Sequence, residues 1–358
     1  MSFLKWAFLI VAAASLVACE TVPRAQGISI SDIETDPRVL TFTLPATPHG
    51  RMVIDAGLPN GRQVNLMLDT GATHSALYAS EWERLGQTMG QTTGQTMGQT
   101  IGKAVDGQQQ VRIHGMLAAD IQPLVTLPTL RLGTATLNDV PIARLNNPER
   151  KARDKELHDG ILGMDILSQF HIYVDRPQEV LKLIPKDMGM ISAPPSWRVV
   201  TLKPNPFLED GRQLHFMDVR LGNALTPALL DTGSEFNLMN WNTSRFPQLR
   251  AVKSRLLKKW EIEGAVGTFQ PVSKIRATDY RAGQKLFEGT EFIVLDFESL
   301  NVLGIEDNPF IIIGADALKN ERYILDFERD KLIFAPTDEE REYKSRGSMP
   351  TFSRRRRK

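Results

Sequence analysis

The sequence predicts an all-β molecule made of two related, closed β-barrel lobes with short helices. Three observations predict it. The chain is 358 residues long and 42% hydrophobic, enough for about two domains of roughly 150 residues, each with its own core. Two segments recur in the same order: residues 64–72, Val-Asn-Leu-Met-Leu-Asp-Thr-Gly-Ala, match residues 225–234, Leu-Thr-Pro-Ala-Leu-Leu-Asp-Thr-Gly-Ser, and residues 161–167 match 312–318 around a glycine. Short apolar runs bounded by Gly, Pro and Asn every eight to twelve residues are the signature of many short strands.

The elements follow in chain order. Lys5 precedes an apolar run from Trp6 to Ala18 that is too short for a comfortable membrane span and has the order of a signal peptide. The sequence Leu16-Val17-Ala18-Cys19 resembles the bacterial lipobox, in which the cysteine is lipidated and becomes the new N-terminus. The resemblance implies that residues 1–18 are removed and that the remaining 340 are tethered to a membrane through Cys19. Glu20, standing where an inner-membrane retention signal has Asp, points to the outer membrane and the periplasm. Residues 19–37 are expected to be an N-terminal tether.

The first lobe is expected over 38–187 and the second over 197–337, joined by a linker at 188–196 that contains Pro194-Pro195. Each lobe opens with a hairpin. In the first, Asn60-Gly61 supplies the positive φ angles of a tight turn; in the second, Gly222-Asn223 does. From the second glycine motif the copies run in step at an offset of 151, pairing Gly163 with Gly314, Asp165 with Asp316, Asp175 with Asp326 and Leu181 with Leu332. Final strands at 180–184 and 331–334 are expected to close each copy. Residues 87–102 are four tandem Gln-Thr-x-Gly units. Their polar, Gly-rich character predicts a flexible insertion.

Composition removes several function classes. Overall content is that of a globular protein, against wholesale disorder or a polytopic membrane protein. The single cysteine excludes an internal disulfide and leaves His, Asp and Glu as ligands for any metal. Lys+Arg number 43 against 42 Asp+Glu, a formal +1, and no dedicated nucleic-acid binder is expected. Residues 338–358 end in Arg354-Arg355-Arg356-Arg357-Lys358, a solvated basic tail. Removing those five charges and Lys5 leaves an acidic body at −5. The six histidines show no paired ligand spacing, and no metalloprotease helix motif or Gly-x-Ser-x-Gly elbow is present. Residues 98–103 fail as a phosphate loop because the spacing is one short and Ala104 stands where Ser or Thr is required.

One Asp-Thr-Gly is expected about 0.1 times by chance in a chain this long. Two copies, each after three apolar residues and each followed by an apolar-apolar-Gly strand, form a pattern. It resembles the retropepsin-like aspartic proteases, over nearly all of residues 38–337. The resemblance implies a two-lobed single chain, a monomeric pseudodimer with the active site between the lobes and no cofactor or metal. It makes Asp69 and Asp231 the catalytic dyad. Thr70 and Thr232 tie the two loops together, Gly71 and Gly233 permit close approach, and Ala72 and Ser234 complete the loops. The strands ending at Gly163 and Gly314 cross behind them. Two carboxyls a few ångströms apart cannot both ionise, so one serves as base and the other as acid. The Ser234 hydroxyl is expected to donate to Asp231, favouring its ionised form and making it the base.

The family covers its cleft with hairpin flaps. Residues 263–268, with Gly264 and Gly267 at the tip, are the candidate in the second lobe, and in the first the counterpart lies between Gly102 and Gly115. The repeated Asp165, Asp175, Asp316 and Asp326 are read as capping and turn carboxylates rather than catalytic ones. Two functions stay open: an endopeptidase acting on protein or peptide substrate, and an inactive pseudoprotease that binds extended peptide by strand addition at the membrane.

Overall fold

The computed structural model describes residues 27–337 except 46, 48, 93–109, 115–118, 146–157, 205–213, 250–254, 257–261, 264–267, 270–272, 277–278 and 297–306. Residues 1–26 and 338–358 therefore lie outside the described residues, and with them Cys19, the leader and the basic tail.

The molecule is mostly β-sheet. In the first half, the strand Gln63–Leu68 pairs antiparallel with Val53–Gly57 and parallel with Gly160–Leu162, which in turn pairs antiparallel with Ala76–Tyr78. Beyond Ala76–Tyr78 come Ala135–Leu145 and Ala119–Leu132, and the latter returns to pair with Val53–Gly57, Ala56 opposite Leu132. Six strands thus close a ring around Ile54, Leu66, Leu127, Leu130, Ile142 and their neighbours, all almost fully buried.

The second half repeats the pairings. Ala224–Leu230 pairs antiparallel with His215–Leu221 and parallel with Ile311–Ile313, which pairs antiparallel with Asn237–Met239. The long hairpin of the first half is here in two pieces, Ser273–Arg276 with Glu291–Val294 and Asp279–Ala282 with Lys285–Glu288. The second piece pairs with His215–Leu221.

The strands expected to close each copy are elsewhere. Leu40–Thr43, Val180–Pro185, Phe170–Asp175, Arg322–Asp326, Lys331–Phe334 and Arg198–Thr201 form a single six-stranded sheet drawn from both halves. At its centre Phe170–Asp175 pairs antiparallel with Arg322–Asp326, joining the halves. Period-two alternation explains the arrangement. Ile172, Val174, Leu325 and Leu332 enter the main core, while Tyr173, Ile324 and Ile333 point to the other face and need a separate cover. That cover is a segment the sequence assigned to the tether and the linker. Ile28–Ser29 pairs parallel with Ile191–Ser192, and the helix Ile30–Thr35 is held by a capping box between Ser29 and Asp32 and buries Ile33.

A second correction concerns the Gln-Thr-x-Gly tract. Its first residues continue a helix, Ala79–Thr92, that begins with Trp82 and Leu85 buried; the rest lies outside the described residues.

Candidate active site

Each Asp-Thr-Gly follows a strand buried on its inner face and pinned by a parallel neighbour. Asp69 N donates to Leu162 O at 3.0 Å, and Asp231 N donates to Ile313 O at 3.0 Å. The chain turns sharply after each acid. Gly71 N donates to Asp69 Oδ1 (2.9 Å), while Gly233 N and Ser234 N donate to Asp231 Oδ1 (both 3.0 Å).

The two loops meet head to head. Thr70 Oγ1 donates to Leu230 O at 2.8 Å and accepts from Thr232 N at 3.1 Å; Thr232 Oγ1 donates to Leu68 O at 2.8 Å and accepts from Thr70 N at 3.1 Å. Both threonines are almost fully buried. The four bonds satisfy two hydroxyls, two amides and two carbonyls across the boundary between the halves, where an unpaired group would cost about 1–3 kcal/mol.

This contact crosses the carboxyls onto the opposite glycines. A Cβ on Gly71 would lie 2.5 Å from Asp231 Cγ, and one on Gly233 would lie 2.4 Å from Asp69 Cγ. Only a residue without Cβ lets the two acids come together. The two buried acids are close enough to influence each other's ionisation, and both are pushed above the ordinary carboxylate range. Burial is the largest cause for each, and the charge of Asp231 adds to it at Asp69. The pair therefore titrates as a unit that keeps one proton to higher pH than a free carboxyl.

The strands ending at Gly163 and Gly314 support the loops from behind. Met164 N donates to Ala72 O (2.9 Å) and Ala315 N to Ser234 O (2.8 Å), so Ala72 and Ser234 act through their main chains. A Cβ on Gly163 would come within 2.6 Å of His74 backbone, and one on Gly314 within 2.3 Å of Phe236 O. The expectation for the Ser234 hydroxyl is overturned. Its Oγ donates to Phe236 O at 2.9 Å, closing a local turn, and the group on Asp231 is the Ser234 amide. In the first half the corresponding amide, Ala72 N, donates to the Asp69 main-chain O at 3.3 Å, so the serine hydroxyl does not separate acid from base.

Sequence reasoning missed the residues that clamp these loops. In the first half Gly163 N donates to Ser75 Oγ, which donates to Asp165 Oδ1 at 2.7 Å, while Ser75 N also binds the Asp165 carboxyl. In the second half Gly314 N donates directly to Asn237 Oδ1 at 3.0 Å. Ser75 and Asn237 both stand six residues after their aspartate, a correspondence the duplication makes visible. The sequence also does not show that residues 49–52 reach across: Arg51 pairs with Glu235, the His49 ring lies 4.7 Å from Phe236, and Tyr323 OH reaches Met52 Sδ at 3.6 Å. Gly50 sits in this crossing at φ +80°, where a Cβ would lie 2.6 Å from Lys319 Cβ and 2.8 Å from Ala315 O.

Hairpins occur in both flap regions. Ile262–Glu263 pairs with Thr268–Phe269, so the four-residue tip with Gly264 and Gly267 falls outside the described residues. Gln110–His114 pairs with the start of Ala119–Leu132. Residues 115–118 between these strands, and with them Gly115 at the end of the expected window, lie outside the described residues. Among the described residues no group of three or more His, Cys, Asp or Glu is placed to hold a metal ion, and no helix is long and apolar enough to cross a membrane.

A pair of buried acids on mutually locked loops can run acid–base chemistry, one carboxyl as base and the other as acid. In keeping with it, the family model described as aspartyl protease matches residues 54–166. The match runs from within the strand Val53–Gly57 through Asp69 and Gly163 to Ile166, and includes the first loop and its supporting strand. The second half, which lies outside the match, carries its own copy of the same pairings. No curated protein matches the chain.

Proposed function

We propose that the chain is an aspartic endopeptidase working as a single-chain pseudodimer, two pseudo-symmetric lobes each giving one acid, Asp69 and Asp231, to a shared dyad. The observation that carries this reading is the crossed packing of each carboxyl against the other loop's glycine. The dyad holds one proton. Its ionised member takes a proton from a water between the carboxyls, and the water oxygen attacks the peptide carbonyl. The protonated member gives its proton to the carbonyl oxygen, forming a neutral tetrahedral diol. Collapse of the diol returns a proton to a carboxyl as the C–N bond breaks, and the other proton goes to the departing amine. Substrate enters as an extended segment between the hairpins at 110–132 and 262–269. Lipidated Cys19 would hold the enzyme at the periplasmic face of the outer membrane and limit it to proteins that reach that surface.

The test is cleavage of an unfolded protein by the chain from residue 20 onward, between about pH 3 and 7, beside Asp69→Asn and Asp231→Asn. Loss in both single variants is expected. Activity retained in either ends the shared-dyad reading, and an inactive parent chain that still binds the peptide makes the protein a binding module.

A further inference from the structure

The cover on the outer face of the joining sheet is also where the described chain enters the fold. It is pinned there at once. Ile28 N donates to Met190 O at 2.8 Å, Ile28 stands opposite Ile191 in the parallel pairing, and a Cβ on Gly27 would lie 2.9 Å from Met190 O. Cys19, the residue proposed to carry the lipid, precedes Gly27 by eight positions. Eight residues span at most about 29 Å however they run. A lipid on Cys19 would hold this one edge within that distance of the bilayer, on a leash shorter than the roughly 50 Å diameter of a compact chain of this size.

The side chains at this edge suit such a neighbour. Three large apolar side chains are exposed among the described residues, and one of them, Met190 at 36%, is at this entry point. It follows Gly189, whose φ of +93° turns the chain after the short helix Lys186–Met188; a Cβ there would meet nothing within 4 Å, so the turn is open. Ile28, Ile30, Met188 and Trp197 lie half buried at the rim of the second core. Tryptophan is a side chain that favours the boundary between water and lipid. Charges along this segment are of both signs, Arg38 binding Asp36 at 2.8 Å and Lys186 standing next to Asp187. The tether and the apolar rim, not net charge, therefore set the approach.

The dyad is on the other side of the joining sheet. One face of that sheet, with Ile172, Val174, Leu325 and Leu332, enters the main core, which also takes in Leu68 and Leu230, the residues that precede the two aspartates. The opposite face, with Tyr173, Ile324 and Ile333, meets the cover. The sheet thus separates the cover from the dyad.

We propose that residues 27–35, with Met190 and the rim around it, form the face that the protein lays against a phospholipid surface, so that the cleft opens away from the bilayer. The inference rests on the reading of Cys19 as lipidated. Once the lipid is inserted, contact between this face and the headgroups is intramolecular, and a small apolar rim that would not hold a free protein suffices. The arrangement also narrows the substrate class. A cleft turned outward takes extended segments of proteins that stand clear of the bilayer, and not segments just emerging from it.

The test follows a single thiol. Cys19 is the chain's one cysteine and its sulfur is taken up by the lipid, so Met190→Cys supplies one free thiol for a fluorescent label. Ile121→Cys, at a position 50% exposed on the hairpin at 110–132, does the same on the cleft side. The lipidated chain on vesicles of phosphatidylethanolamine and phosphatidylglycerol is compared with the chain from residue 20 onward in solution. On the vesicle the label at 190 is expected to lose most of its quenching by aqueous iodide, and the label at 121 to keep it. Asp187→Cys, exposed on the same turn, gives the reading if Met190→Cys fails to fold. Unchanged quenching at 190, or equal loss at 190 and 121, overturns the proposal. A mature chain whose mass shows no acyl group at Cys19 overturns it too and leaves the dyad untouched. Cleavage does not enter, so failure here leaves the protease reading standing, and an inactive protein still reports its orientation.

Discussion

The two lobes build one backbone arrangement with different side chains. In the first, Gly163 is held through a relay, Ser75 to Asp165; in the second, Asn237 does the work in one step and Asp316 turns outward to Lys319 at 2.8 Å. What does not vary is the set of groups that geometry leaves no choice about. The glycine after each Thr must lack a Cβ, the threonine hydroxyl must both donate and accept, and the aspartate amide must meet the crossing strand. The difference teaches that the duplicated feature is the meeting of two loops, and that each lobe is free to brace its own loop as its sequence allows.

The largest effects should come from what is shared. Gly71→Ala and Gly233→Ala each place a methyl within 2.5 Å of the opposite Asp carboxyl carbon. Each is expected to abolish cleavage and either unfold the chain or pull the loops apart, measured by activity and circular dichroism. An active alanine variant in one lobe alone would show that the loops are not equivalent. Next in size, Thr70→Val and Thr232→Val each orphan one amide and one carbonyl at the buried junction, and should cost about 2–5 kcal/mol in chemical denaturation. Thr→Ser should restore most of that loss, since the hydroxyl and not the methyl makes the contacts. The double Val variant should cost less than the sum, because the two threonines serve one network.

The comparison also explains what the sequence could reveal. The paired Asp-Thr-Gly and apolar-apolar-Gly segments were legible because close approach and buried parallel pairing restrict residue type so strongly. The six-stranded sheet was not, because strands 180–185 and 331–334 alternate in the same way whether they close their own lobe or join their counterpart. Nothing local in Val-Leu-Lys-Leu-Ile-Pro names its neighbour. The packed helix at 30–35 was hidden for another reason: its capping box is visible, but the face it covers exists only after both lobes have contributed strands. The Ser234 hydroxyl failed as a ligand because a serine beside a turn has a carbonyl two residues on within reach, and that local bond competes with the functional one.

A smaller and lobe-specific effect separates the two braces. Asp165 accepts from Ser75 N, Ser75 Oγ and Ile166 N, and Asp165→Ala should cost about 2–4 kcal/mol by leaving those donors without a partner. Among the described residues the Asp316 side chain pairs with a surface lysine, Lys319, and Asp316→Ala should cost under about 1 kcal/mol. Equal costs at the two positions would mean that the relay in the first lobe is not what holds Gly163.

A further small effect tests the equivalence of the acids themselves. The folded pair has raised pKa values, so stability is full below the unfolded carboxyl value and falls as pH rises through the folded one. Asp69→Asn and Asp231→Asn each remove one of the two charges that burial and proximity oppose. Each should gain on the order of 1 kcal/mol over wild type at about pH 7 and nothing at about pH 3, where both acids are protonated. Of the loop amides among the described residues, the Asp69 carboxyl accepts from Gly71 N alone, Ala72 N donating to the Asp69 main-chain O, whereas the Asp231 carboxyl accepts from both Gly233 N and Ser234 N. Asp69, raised further than Asp231, should therefore give the larger gain. A larger gain from one would identify that acid as the less well solvated member, the one that holds the shared proton, and would restore by a different route the acid and base assignment that the Ser234 hydroxyl does not provide.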